Sequence, residues 1–119
     1  MDEECCEIVV TDADADRLVA LTRALVEERL VACGQHVAPI RSVYRWDGGV
    51  HDEAEARVAL HTRRSLVDAV VDRVCELHGY DVPCVLALPV LGGNPAYLAW
   101  IREETRNPDG AGRTAPISG

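Results

Sequence analysis

A chain of 119 residues, 48% of them hydrophobic, is long and apolar enough for one folded domain that buries a core without disulfide or metal staples. Its formal net charge of −8 argues against nucleic acid and anionic membranes as partners, since both are polyanions. No apolar run approaches the ~18–20 residues of a membrane span.

The chain opens on Met1-Asp-Glu-Glu, acidic where a secretory signal would be basic. Its five cysteines, Cys5, Cys6, Cys33, Cys75 and Cys84, are odd in number and contain no Cys-x-x-Cys pair. Both features point to reduced thiols and a cytoplasmic location.

Cys5 to Thr11 reads as a short buried strand. A helix follows, entered through Asp12, Asp14 and Asp16, whose carboxylates suit the positive end of a helix dipole. These aspartates mimic half a calcium loop, but the required glycine is Arg17 and the closing glutamate is Arg23. Leu18, Leu21, Leu25, Val26 and Leu30 recur at helical spacing, and Gly34 is the expected left-handed cap.

Ile40 to Thr62 reads as one long β-hairpin. Ile40, Ser42, Tyr44 and Trp46 share a parity on the outgoing arm; Val50, Ala54, Ala56, Val58 and Leu60 share one on the return. His51, Glu53, Glu55, Arg57 and His61 take the other face; of these, His51, Glu53 and Glu55 read as a solvated or intersubunit polar surface or as ligands of a hard or borderline cation. Matching the apolar faces requires even positions to pair with even, hence a three-residue turn Asp47-Gly48-Gly49 with Trp46 opposite Val50. Pro39, which lacks a ladder donor, is expected at a bend or edge.

The return arm could extend roughly 40 Å at ~3.3 Å per residue. A helix of about fifteen residues covers only ~22 Å. The uncovered end would leave apolar surface and unpaired edge groups in water, so the hairpin implies an oligomer.

A second helix begins around Thr62 to Ser65, with Leu66, Val67, Val70, Val71, Val74 and Leu77 as its apolar stripe and Gly79 past its end. Arg63 and Arg64 would oppose the dipole at its start, which calls for a bound anion or an intersubunit salt bridge. Val85 to Val90 is a continuous apolar run expected to be a buried strand. Asn94-Pro95 starts a last helix packed through Leu98 and Ile101. The core domain is expected over 1–106 and a disordered tail over 107–119.

The order strand, helix, hairpin, helix, strand, helix predicts an α+β, ferredoxin-like βαββαβ sandwich with an extended hairpin and a C-terminal helix. No nucleophile–base motif or phosphate-binding glycine loop appears, so no enzyme is expected.

Several segments together resemble the CutA family of divalent-cation tolerance proteins. They are Ala24 to Cys33, Ser42 to Gly48, Thr62-Arg63-Arg64, Leu77 to Pro83, Ala87 to Val90 and Gly93 to Ile101. The resemblance implies a non-enzymatic cytoplasmic homotrimer, linked to tolerance of copper and other divalent ions, with hairpins wrapped around neighbouring subunits. Tyr44, Trp46, Val50 and Trp100 are the residues expected at the trimer interface.

Some members are thought to hold copper through a cysteine near the end of the first strand and a His-His pair. Here Val10 and Leu77 stand in those places, leaving His78. His78, at a helix end, suits capping or metal binding. Cys84 and Cys33 are candidate thiolate partners for copper or zinc, with Cys33 also readable as core. No cofactor is required. The alternative function is a trimeric regulator similar to the PII signalling proteins, holding a nucleotide or small anion between subunits near Arg63 and Arg64.

Overall fold

In a computed structural model, residues 3–108 are described, and the expected tail lies outside them from 109 onward. The elements are β1 (Cys5–Asp12), α1 (Ala15–Glu27), β2 (Cys33–Trp46), β3 (Gly49–Arg63), a 3-10 turn (Arg64–Leu66), α2 (Val67–Leu77), β4 (Val85–Pro89) and α3 (Pro95–Glu104). The strands form one antiparallel sheet in the order β2-β3-β1-β4. The expected α+β sandwich is therefore present.

Alternation decides which sheet face is dry. Ile8, Val10, Ala56, Val58 and Leu60 point to one side and meet Leu18, Leu21 and Leu25 of α1 and Val70 and Val74 of α2 in a single cluster. Their intervening neighbours point the other way, where α3 lies. Ile101 of α3 is buried with Cys5 and Ala32, and Leu98 packs beside them. The last helix thus docks on its own sheet.

Local chemistry sets the helix ends. Asp14 caps α1 by accepting from the Arg17 N–H at 3.0 Å. Asn94 caps α3 by accepting from Ala96, with Pro95 in the first turn. Gly34 does not end α1. The turn comes at Arg29, whose φ of 61° is left-handed, and its guanidinium donates to the Glu103 carbonyl at 2.9 Å. That contact holds a non-glycine residue in a conformation usually left to glycine.

Gly34 instead lies in β2 beneath α1. A Cβ there would stand 2.5 Å from Thr22 Cγ2 and 3.0 Å from Leu60 Cδ2. Gly34→Ala is expected to push α1 off the sheet and cost about 1–3 kcal/mol, read as a lower urea midpoint with an unchanged slope.

The hairpin turn also differs from expectation. Trp46 pairs with Gly49, Arg45 with Val50 and Tyr44 with His51, leaving a two-residue loop. Asp47 and Gly48 have φ of 52° and 78°, the double left-handed turn that Asp-Gly favours. Parity misleads because a bulge intervenes: β2 advances from Val37 to Ile40 while β3 advances only from Arg57 to Glu55. The extra residue falls at Ala38-Pro39, a cis peptide on the sheet's edge strand. Even pairs with even on one side of the bulge, and even with odd on the other.

Beyond the bulge, Tyr44 consequently shares a face with the polar residues of β3. Its ring stacks on His51 at 5.3 Å, and its hydroxyl donates to Glu53 at 2.8 Å. β4 is an edge strand and not a buried one. Val85 packs against the core, but Leu86 is 62% exposed on the opposite face.

Candidate functional site

His78 is buried where α2 ends against the top of β1. Its Nε2 lies 2.7 Å from the Thr11 carbonyl oxygen, and its Nδ1 lies 3.2 Å from the Tyr80 N–H. A carbonyl only accepts and an amide N–H only donates, so Nε2 carries the proton and Nδ1 accepts. Both ring nitrogens are engaged in tying the residue 78–80 loop to β1.

Beside this clasp sits Asp12, fully buried, accepting from Arg17 at 2.7 and 2.8 Å and from the Asp14 N–H at 2.9 Å. Burial alone would raise its carboxyl. The Arg17 and Asp14 hydrogen bonds outweigh that, with help from the positive charge of Arg17, and hold it below its ordinary value of 3.8. At the helix entry Asp12 therefore binds the protein's own Arg17, while Asp14 caps the helix.

The three sequence-predicted metal residues do not gather. Cys84 is exposed on the approach to β4, and Cys33 begins β2. Among the described residues, no three His, Cys, Asp or Glu side chains are grouped as a metal ion would require.

Cys33 has other neighbours. It is directly opposite His61 across β2 and β3, so the two side chains leave the same face, the one α3 covers. Cys33 Sγ lies 3.5 Å from His61 Nδ1 and 3.3 Å from the Tyr97 hydroxyl. That hydroxyl is 2.7 Å from Nδ1, while His61 Nε2 is 2.9 Å from Glu7 Oε1. Burial and the adjacent Cys33 push the Tyr97 phenol up to about 12. His61, Tyr97 and Glu7 escape a motif search because they lie on three separate elements. The signal that links them is strand register.

Arg63 is the last residue of β3, not the first of a helix. Its side chain donates to the carbonyls of Arg102 and Thr105 and to the Thr105 hydroxyl, the negative end of α3. The charge that seemed to oppose one helix dipole thus satisfies another. Arg64 is exposed and lies 3.5 Å from Glu4.

Of the expected interface residues, Tyr44, Trp46 and Val50 stand on the projecting hairpin, with Val50 66% exposed. Trp100 lies on α3, stacked on Tyr97 at 5.6 Å.

The chain matches the family model of the CutA1 divalent ion tolerance protein over residues 6–104. It is 41% identical over 103 residues to the divalent-cation tolerance protein CutA of Thermus thermophilus, covering 87% of this chain and 98% of that one. It is 39% identical over 100 residues to the chloroplastic protein CutA of Arabidopsis thaliana, covering 84% of this chain and 55% of that one. The chain thus spans about half the length of that relative. Its fold superposes on the crystal structure of CutA1 from Oryza sativa with a TM-score of 0.84 at 39% identity, covering 87% and 95% of the two chains. The family model and the Thermus thermophilus relative are named for divalent-ion tolerance, and none of these names states a reaction.

Proposed function

The chain belongs to the CutA1 divalent ion tolerance family, and from that premise we propose that it acts, without catalysing a reaction, as a homotrimer in tolerance of divalent metal ions. It binds copper or zinc weakly and works in the reducing cytoplasm, where its five cysteines stay unpaired.

The observation that supports assembly is the pair of uncovered sheet edges. β2 and β3 are 14 and 15 residues long, against 13 and 11 for α1 and α2. The hairpin therefore outruns its helices, and the long axis of the molecule reaches 46 Å. At one edge stand Val43, Trp46 and Val50; at the other, Val82, Leu86 and Leu88 are exposed. Two different sticky surfaces join head to tail, and such contacts close into a ring when the rotation allows. A soluble single chain would not keep both patches wet.

Membrane anchoring has no support in the helices, since no described helix is long and apolar enough to cross a bilayer. The nucleotide or anion reading has less to stand on, because Arg63 is engaged by α3.

Two measurements test the proposal together. Sedimentation equilibrium of the purified chain should return a three-chain mass at micromolar concentration; a single-chain mass would remove the assembly. Calorimetric titration with Cu²⁺ and Zn²⁺ should give saturable heat; flat traces for both would remove the metal role and leave the trimer standing.

A further inference from the structure

The space between the outer sheet face and α3 brings together a thiol, an imidazole, a phenol and a carboxylate, from Cys33, His61, Tyr97 and Glu7. An ionised carboxylate only accepts, so Glu7 fixes the proton of His61 on Nε2 and leaves the Nδ1 lone pair aimed at Cys33 and Tyr97. A carboxylate behind an imidazole is how metal-binding histidines are commonly oriented and made more basic.

The spacing is also that of ligands. Bonds of ~2.3 Å to sulfur and ~2.1 Å to nitrogen at a tetrahedral angle place the two donor atoms about 3.6 Å apart. The observed separation of Cys33 Sγ and His61 Nδ1 is 3.5 Å. Tyr97 would need to swing outward by about half an ångström to reach its own ~3.3 Å spacing from nitrogen, exchanging a hydrogen bond for the ion.

We infer that Cys33 and His61, closed by the Tyr97 oxygen and oriented by Glu7, form a binding site for a borderline or soft divalent cation, with Zn²⁺ the natural occupant. Thiolate plus imidazole selects zinc or copper over magnesium and calcium. Binding drives the Cys33 thiol proton to solvent, because only the thiolate is a ligand. The His61 side chain is 14% exposed, shielded from bulk water yet open to an entering ion. The inference rests on the divalent-ion reading above and assigns that role to residues other than His78.

Co²⁺ added to the reduced, full-length protein is the probe, since cobalt bound to a thiolate absorbs by sulfur-to-metal charge transfer. One ion per chain is expected, displaced by Zn²⁺. The band should persist in the Cys75→Ser/Cys84→Ser double variant and in His78→Ala. It should vanish in Cys33→Ser and in His61→Gln, with unchanged circular dichroism. Glu7→Gln should weaken Co²⁺ binding about tenfold or more through the lost orientation of the ring. If Cys33→Ser does not fold, Cys33→Ala and His61→Gln carry the same test. A band surviving in either folded Cys33 or His61 variant overturns the site. Binding lost only in His78→Ala would overturn it while leaving the divalent-ion reading intact. Absence of any Co²⁺, Cu²⁺ or Zn²⁺ binding by the wild type would overturn both.

Discussion

Trp46→Asp is expected to reduce the assembly to single chains at micromolar concentration while leaving each chain folded. In the isolated chain Trp46 is 54% exposed at the hairpin tip, opposite Gly49, so a carboxylate there meets water and disturbs no core contact. In an assembly the same carboxylate would be taken out of water without a partner. Large aromatic anchors at the centre of an interface commonly contribute about 2 kcal/mol or more each, and a ring multiplies that loss over its contacts. Light scattering reports the mass, and far-ultraviolet circular dichroism reports the strands. A three-chain mass retained by the variant would mean that the hairpin tip is not what holds the copies together. A matching change at the other edge, Leu86→Asp, should have the same effect if the ring is head to tail.

Asp12→Asn should destabilise the fold by about 1–3 kcal/mol, because it removes the charge of a fully buried carboxylate that accepts from the Asp14 N–H and from Arg17, whose own side chain is half-buried. The pH dependence follows from the depressed carboxyl. A group whose folded value lies below its unfolded value contributes stability that is fully present above the unfolded value. That contribution drains away as pH falls from about the ordinary 3.8 through the lower folded value. Wild type and Asp12→Asn should thus differ most near neutrality and converge in acid. Urea midpoints measured across that range check it; a gap that stayed constant into acid would assign the cost to packing instead of charge.

His78 belongs to the same clasp. Its contacts to Thr11 and Tyr80 make it a strut beside Asp12, whose carboxylate is 3.6 Å away. A cation at His78 would have to break one of two hydrogen bonds in a buried place. At His61 one nitrogen is already committed to a carboxylate and the other faces a thiol and a phenol. The difference between the two histidines is one of partners, and no sequence pattern contains it.

What the residue order settled by itself was the element list. Asp14 and Asn94 announced two helix starts, the Leu18–Leu21–Leu25 spacing announced a buried stripe, and alternation announced a long hairpin too large for its own helices. These signals are local, and the backbone obeys them wherever tertiary forces agree. Register was another matter. A single unpaired residue at Ala38-Pro39 reversed the parity of the ribbon, and counting apolar faces could not see it. With a three-residue turn Cys33 would have faced Arg63; with the bulge and the Asp47-Gly48 turn it faces His61. Only the assembled sheet, with α3 laid across it, brings Glu7, Cys33, His61 and Tyr97 within bonding reach. Their meeting depends on side chains far apart in the chain sharing one face, which is a property of packing and not of spacing.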